Sequence, residues 1–489
     1  MRPFLLDART RPRRPLSLVT HAVIAWATFR IVGYAAGVRF DASSASWFWQ
    51  YLDLEWLRDE PLTSLFYLHA QPPAFNALLA VGQGFPRPEL FYEIVFRGLG
   101  LMLAIGMARA LERLGVSRVG ARTGVWVFAA LPSSILYEAW LFYSLPVALL
   151  VLWSTVAFAN ASARRSPGSI ALFVALCALL VLGRSVFHWT WVAGTALLLA
   201  THVRARPRQR LLSVVLLVVV CGALFVKNAV VFGSASSSSW LGMSLAKHTL
   251  EPLGPAERAA LVADESPEVA RLVQVLPFSE LGRYPPGLRD APVRFTGIEC
   301  LVRPHKRNGH PNLNHAAYLA ISEHYGRLSR RAMVRHPDVY ATSVKRALLT
   351  LASPSVEYWE LLPNLRKLDG WHGVVLRLGG LSRFEADAYR AFDASYLATR
   401  VSPVYTLLTL LTLLWTVAAA VSRRGRFARR AMLRLALFTI GFVTVAQVLV
   451  EVGENHRIAY EVFPLGFALS VATLDGLARE GRLLLRRLA

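Results

Sequence analysis

Apolar runs of membrane length constrain this chain more than any other feature. The run 123–161 contains one charged residue, Glu138. As a single helix at about 1.5 Å per residue it would be about 60 Å long, whereas the hydrocarbon core of a bilayer is about 30 Å thick. Basic residues flank both ends, so the run is predicted to be a hairpin that turns near residues 132–143. The run 169–201 has the same form and is predicted to turn near 184–188.

Six further apolar runs are long enough for one crossing each: 16–38, 90–111, 211–233, 401–421, 431–450 and 458–474. With each hairpin counted as two, the chain is predicted to cross about ten times. The short basic segments then all fall on one side of the membrane: the N-terminus, 112–122, 162–168, 202–210, 422–430 and the tail. Since short cytoplasmic loops are rich in Lys and Arg, both termini are predicted to be cytoplasmic. The expected fold is a polytopic, all-α membrane bundle.

Composition agrees with a membrane protein and excludes other classes. The chain is 54% hydrophobic and 17% charged, with 54 Lys and Arg against 31 Asp and Glu, a formal net charge of +23. Soluble domains are about 25% charged, and disordered chains lack this apolar mass. A nucleic-acid partner is not expected, because basic DNA-binding proteins lack repeated apolar runs of this length. Three cysteines imply no disulfide framework.

The predicted spans divide the chain into three parts. Residues 1–233 form an N-terminal transmembrane core that includes a first external loop, 38–89. Residues 234–400 form a small external domain of mixed structure, and 401–489 form the C-terminal transmembrane helices and a cytoplasmic tail. Within the first loop, the spacing of its apolar residues predicts an amphipathic interfacial helix over 44–58. Many Arg and Ala with few Lys suggest a bacterial source, which would place the protein in the inner membrane with the loop in the periplasm.

Ionisable and polar groups gather at the outer ends of the predicted spans. Asp41 follows the first span, where it either acts as a base or simply solvates the membrane boundary. His69 and Gln71 stand in a His-Ala-Gln-Pro-Pro segment, whose plainer interpretation is a helix start at re-entry into the membrane. Four other sites follow: Glu138, Arg184 with His188, Lys227 with Asn228, and Glu454 with Arg457 and Tyr460. Such groups are costly near hydrocarbon unless they pair or line a polar cavity, so a shared polar site is predicted.

These residues resemble the GT-C superfamily of glycosyltransferases, which includes protein O-mannosyltransferases and bacterial aminoarabinose and arabinosyl transferases. Phe40-Asp41 followed by His69-Ala-Gln-Pro-Pro is similar to their first-loop pattern. Lys227-Asn228 with Phe232-Gly233 resembles the segment that opens their external domain, and His336-Pro337 resembles a later helix start. The stretch from Glu454 to Tyr460 resembles the start of their last core span. The resemblance covers most of the chain in order.

The resemblance implies transfer of a sugar from a polyprenyl-phosphate carrier to a glycan, lipid or protein acceptor of the cell envelope, with inversion. An acceptor hydroxyl loses its proton as it attacks, which requires a carboxylate; Asp41 is the candidate. Cations stabilise the leaving phosphate; Arg457 is the first candidate, followed by His69, Arg184 and Lys227. Supporting polar roles are expected for Gln71, Glu138, His188, Asn228, Glu454 and Tyr460. Tyr284, Tyr358, Trp359 and Trp371 would either stack on sugar or belong to the core.

The sequence departs from the family pattern in two places. Ala42 follows Asp41 where many members have a second acid, and Ala74 replaces the leucine after the two prolines. These departures leave metal dependence open, with Mg²⁺, Mn²⁺ or Ca²⁺ as the candidate divalent cation and no cofactor otherwise expected. Two other classes stay open: a polytopic lipid or solute transporter or flippase, and a non-catalytic GT-C-like subunit of an envelope complex.

Overall fold

The computed structural model describes residues 16–164, 166–203, 206–382, 399–422 and 426–488. Seven helices in these ranges are long and apolar enough to cross a membrane. Their bounds are Leu18–Ala35, Pro88–Leu114, Ser144–Arg164, Pro207–Phe232, Pro403–Val421, Phe427–Val450 and Asn455–Leu488. The protein is therefore a helical, multi-pass membrane protein, and the described residues contain no β-strand, only two isolated bridges. Of the predicted basic flanks, residues 1–15, 165, 204–205 and 423–425 lie outside the described ranges.

An eighth candidate span is a bent pair of helices, Arg118–Ala130 and Pro132–Ala139, whose axes differ by 58°. Pro132 opens the second helix, and the residue before it, Leu131, is extended with ψ 135°, as a residue before proline prefers. A shorter apolar helix, Pro167–Gly183, is followed by Trp189–His202. Both long apolar runs are thus interrupted where the sequence predicts a turn, at 131–143 and at 184–188.

The helix Ser144–Arg164 is the centre of the bundle and the most buried of the seven. It packs against the helices Pro88–Leu114, Pro167–Gly183, Phe427–Val450 and Asn455–Leu488. The last of these, here called the last helix, also lies against Pro88–Leu114, against Arg118–Ala130 and against residues 355–357. The last helix therefore begins beside both the first half of the chain and the polar region 234–400, and this arrangement sets the position of the site.

The first loop folds differently from the single interfacial helix predicted over 44–58, so that prediction is wrong. Two short helices, Ser44–Trp47 and Leu54–Asp59, are separated by a turn at residues 49–50, and they are followed by Pro61–Phe66 and Ala74–Gln83. Asp53 starts the second helix by accepting hydrogen bonds from the Glu55 and Trp56 N–H groups at 2.7 and 3.2 Å. Trp56 and Leu57 are buried, so this part of the loop packs into the protein.

The polar region after residue 233 is helical in its described part. Its longer helices are Leu241–Thr249, Pro255–Leu261, Pro267–Leu272, Ala317–Arg335, Pro337–Leu351 and Asp369–Leu378. Two short helices are Glu299–Val302 and Leu362–Leu365. There are also 3₁₀ turns at Ser355–Glu357, at Trp359–Leu361 and at four other places in the described part. This region packs directly on the rest of the protein: Lys306 donates to the carbonyl of Phe48 in the first loop at 2.9 Å, and Lys247 pairs with Glu451 at 3.0 Å. All three cysteines are buried and free.

Candidate functional site

Asp41 is held by the backbone of a distant segment. Its N–H donates to the Ala139 carbonyl at 2.8 Å, and its own carbonyl accepts from the Leu141 N–H at 2.9 Å, which makes a parallel bridge with Trp140. One carboxylate oxygen accepts from the Ser43 N–H at 2.9 Å. Because both backbone groups and one side-chain oxygen are fixed, the half-buried Asp41 carboxylate has a defined position.

Arg457 lies in the first turn of the last helix, where a tight turn presents it. Gly453, with φ 101°, adopts a backbone conformation that favours glycine, and its N–H donates to the Asn455 side chain at 3.1 Å. The Arg457 side chain is 1% exposed. Its guanidinium donates to the Tyr143 hydroxyl oxygen at 2.7 Å and pairs with Glu454. A fully buried cation with a short hydrogen bond is thus placed at the start of the helix.

Arg184 converges on the same hydroxyl from the break between two helices. Its guanidinium donates to the Tyr143 oxygen at 2.8 Å, and it pairs with Glu461 at 3.1 Å. Two guanidinium groups therefore meet at one oxygen atom, with Glu454 and Glu461 as their counter-ions. The predicted grouping of Arg184 with Arg457 and Glu454 is present in the structure.

Aromatic rings enclose these charges. The Arg457 guanidinium carbon lies 4.7 Å from the ring centre of Phe142, and Phe142 stacks on Trp140 with 4.3 Å between ring centres. The Tyr358 hydroxyl donates to the Glu454 carboxylate at 3.3 Å. Charged groups in such an apolar enclosure interact more strongly than they would in water.

A further carboxyl, Glu360, belongs to the same site and was not predicted. It stands in a 3₁₀ turn of the polar region, Trp359–Leu361. Burial, followed by the nearby carboxylates of Asp41 and Glu454, raises the pKa of Glu360 to about 8. One of its carboxyl oxygens is buried and has no hydrogen-bond partner among the described residues. The only sequence signal is its position beside Tyr358 and Trp359, which the sequence offers as sugar-stacking or core aromatics.

Two buried N–H donors in this site have no hydrogen-bond acceptor in the part of the chain that the structure describes: the Arg457 Nε and the Trp140 indole nitrogen. Both residues are 1% exposed, and both pack on Phe142. An unsatisfied buried donor is costly and is uncommon in folded proteins. Donors of this kind suit the oxygen atoms of a bound ligand or an ordered water.

His69 lies outside this cluster and is bonded within the protein. Its Nδ1 lies 2.8 Å from the Ser239 hydroxyl and its Nε2 lies 2.9 Å from the Asn314 carbonyl. Burial lowers the pKa of His69 to about 3, so the ring is neutral at physiological pH. His69 therefore joins the first loop to the polar region through both ring nitrogens. Neither nitrogen is available to bind a phosphate, and the ring carries no positive charge.

Lys227 and Asn228 lie near His69 rather than near Arg457. The Lys227 ammonium donates to the carbonyls of Phe66 and Leu68 at 2.9 and 3.1 Å. Lys227 also borders an apolar groove of about 630 Å³. The groove runs along the helix Pro207–Phe232, and its other lining residues include Phe66, Trp189, Val219, Val226 and Val230. Asn228 donates to the Ser236 carbonyl.

The remaining predicted residues take separate positions. Gln71 is half-buried. The half-buried His188 packs edge-on against Phe225, with 5.0 Å between ring centres. The Tyr460 ring stacks on Tyr137 at 3.7 Å.

Glu138 is fully buried and saturated by three donors from other helices: Trp26 at 3.0 Å, Arg30 at 2.7 Å and Arg97 at 3.1 Å. It is followed directly by Ala139, which holds the Asp41 backbone. Glu138 thus anchors the segment that holds Asp41 to two of the long helices.

No group of three or more His, Cys, Asp or Glu side chains in the described ranges is arranged to hold a metal ion. The carboxyl groups of Asp41, Glu360 and Glu454 accordingly act on one another as charges, and they do not form a metal-binding set.

No family model matches the chain, and no curated protein or solved structure matches it either.

Proposed function

We propose that this protein is a GT-C-type membrane glycosyltransferase that moves a sugar from a polyprenyl-phosphate carrier to an acceptor of the cell envelope. The observation that carries the proposal is the position of the half-buried Asp41 and Glu360 carboxyls beside the buried Glu454–Arg457 pair. Asp41 is bridged to Trp140, Trp140 stacks on Phe142, and the Arg457 guanidinium lies on Phe142. The four ionisable residues come from the first loop, the polar region and the start of the last helix. An acid-base reaction on a phosphorylated substrate needs both a carboxylate and fixed cations at one place.

In this proposal Asp41 is the general base. The acceptor O–H proton passes to the Asp41 carboxylate as the acceptor oxygen bonds to the anomeric carbon, and the bond from that carbon to the carrier phosphate breaks with its electron pair on the phosphate. Attack from the side opposite the leaving group inverts the anomeric centre, as in inverting glycosidases. Arg457 and Arg184 stabilise the growing phosphate charge, and the Arg457 Nε, which has no acceptor within the described ranges, donates to a phosphate oxygen.

The carrier chain is a long isoprenoid and needs an apolar surface open to the bilayer. The groove along Pro207–Phe232, with Lys227 at its border, supports this requirement. The proposed topology has ten crossings: the seven long helices, the bent pair, and the two helices Pro167–Gly183 and Trp189–His202. Both termini would be cytoplasmic, and the site would face the periplasm of a bacterial inner membrane.

The test is release of polyprenyl phosphate from candidate lipid-linked sugars by the purified protein, comparing the wild type with Asp41→Asn. We expect the variant to be expressed and folded but to lose transfer by at least a hundredfold, since a general base contributes about 10²–10⁴ in rate. Glu55→Gln, which changes an exposed carboxylate of the same loop, is the matched control and should keep its activity. Near-normal transfer by Asp41→Asn would remove Asp41 as the base.

A further inference from the structure

The Glu360 carboxyl has a position that the proposed function does not use. Glu360 comes two residues after Tyr358, whose ring centre lies 5.6 Å from that of Trp140, the residue that forms the bridge with Asp41. The two carboxylates that act on it electrostatically are Asp41 and Glu454. The tyrosines Tyr51 and Tyr358 also lie within electrostatic range of it. Arg457, a cation of the same site, is paired with Glu454.

Glu360 directly follows Trp359, and Trp359 belongs to an aromatic wall that includes residues of the first loop. Trp359 stacks on Phe48 with an interplanar angle of 12°, and the half-buried Trp47 lies 5.4 Å from Trp359 between ring centres. One Glu360 oxygen is buried without a partner in the described ranges. A carboxyl held in an apolar wall and flanked by two like charges prefers its neutral form.

We propose that Glu360 and Asp41 form an acid pair in which Glu360 keeps the proton and hydrogen-bonds the acceptor, while Asp41 stays ionised as the base. This inference rests on the proposed function and adds a second catalytic residue to it. The Glu360 proton stays in place through the step, and the acceptor proton goes to Asp41. Two carboxyls whose surroundings separate their affinities for a proton are a recurring acid-base device.

A neutral Glu360 also protects the charge arrangement of the site. If Glu360 were ionised, three negative carboxylates would face the region where a phosphate must bind. With Glu360 protonated, the remaining carboxylates are Asp41, which needs its charge, and Glu454 and Glu461, which pair with Arg457 and Arg184. The neutral acid then offers an O–H donor and an acceptor oxygen to the acceptor hydroxyl.

The first test needs no substrate. The pH dependence of unfolding is measured for the purified full-length wild type, Glu360→Gln and Glu55→Gln. The pKa of Glu360 is about 8 in the folded protein, whereas the pKa of the free side chain is 4.5. The protonated Glu360 therefore contributes its full stability below pH 4.5, and this contribution is lost as the pH rises from 4.5 to 8. The wild type should therefore lose stability relative to Glu360→Gln over this window, and Glu55→Gln should follow the wild type between pH 6 and 9. Asp41→Asn should move the Glu360 transition to lower pH, because one neighbouring negative charge is gone.

The second test follows transfer against pH. Wild-type activity should fall about tenfold between pH 7 and pH 9 as Glu360 ionises. Glu360→Gln keeps a neutral donor and an acceptor, so it should change less than about twofold over the same range. The same alkaline fall in Glu360→Gln and the wild type would overturn the acid pair.

The two tests separate this inference from the proposed function. If the Glu360 transition and its shift in Asp41→Asn are present but no lipid-linked sugar is turned over, the acid pair stands and the proposed function fails. If transfer requires Asp41 but wild type and Glu360→Gln unfold with the same pH dependence, the proposed function stands and the acid pair is wrong.

Discussion

The buried Glu138 carboxylate makes the sharpest prediction about stability. Glu138→Gln keeps the shape of the side chain and one acceptor for Trp26, but removes the charge that balances two arginines. The Glu138 side chain is 0% exposed, Arg30 is 9% exposed and Arg97 is 23% exposed. The variant therefore leaves a cation of the bundle interior without its counter-ion.

The expected size follows from the distances. At 2.7 and 3.1 Å each ion pair has a gross Coulomb energy of about 5–6 kcal/mol at an effective dielectric constant of about 20. Most of that is offset by the desolvation of the charges, and breaking a buried pair by removing one partner costs about 3–5 kcal/mol. We expect Glu138→Gln to lower the free energy of unfolding by this amount.

Glu93→Gln is the matched control, since Glu93 pairs with the same Arg97 at 3.3 Å but is 38% exposed. An exposed pair contributes about 0–1 kcal/mol. The assay is reversible unfolding in mixed micelles, followed by tryptophan fluorescence. Adding Arg30→Met to Glu138→Gln should recover part of the loss, because the unbalanced cation is removed. Equal effects of Glu138→Gln and Glu93→Gln would refute the reasoning.

Three further predictions use other parts of the structure. Gly100→Ala should destabilise the fold about as much as Glu138→Gln, because the new methyl carbon would lie 1.8 Å from a Glu138 oxygen. Gly98→Ala is the control, since nothing lies within 4 Å of its new methyl carbon, and it should not destabilise the fold. Equal melting temperatures of the two variants would contradict this prediction. Burial lowers the pKa of Lys306 to about 8 from 10.5, so the unfolded chain binds this proton more tightly. The wild type should gain stability relative to Lys306→Met as the pH rises from 8 to 10.5, and a flat difference would count against it. Arg457→Ala should raise the KM for the lipid donor at least tenfold more than the KM for the acceptor, whereas equal changes in the two KM values would indicate a packing role.

The sequence predicted the fold class and the helix breaks because these depend on local chain properties. An apolar run that is longer than the membrane is thick cannot be one straight helix, so it must turn. The breaks at 131–143 and 184–188 lie in the two runs that are too long for one crossing. The division of 44–58 into two helices was missed, because its periodicity fits one amphipathic helix and the Asp53 cap that breaks it was not recognised. Tertiary packing then buried Trp56 and Leu57.

The site was predicted in part for the same reason. Asp41, Arg184, Glu454 and Arg457 stand at ends of apolar runs, where a charge is conspicuous. The structure brings Arg184 and Arg457 together at Tyr143, with Glu454 paired to Arg457, and it ties Asp41 to the neighbouring Trp140 segment. His69 and Lys227 are equally conspicuous, yet they are bonded to Ser239, Asn314 and loop carbonyls. Only the three-dimensional arrangement separates the two groups, because hydrogen-bond partners more than a hundred residues apart leave no local pattern.

The sequence by itself determined that this chain is a multi-pass helical membrane protein with polar chemistry at the ends of its spans. The tertiary structure decided which charges share an enclosure, and it added Glu360, which lies in a polar region where one more glutamate has no distinctive sequence signal. The physical reason is that hydrophobic burial follows the composition of each segment, whereas the affinity of a carboxyl for a proton depends on the charges that folding places beside it.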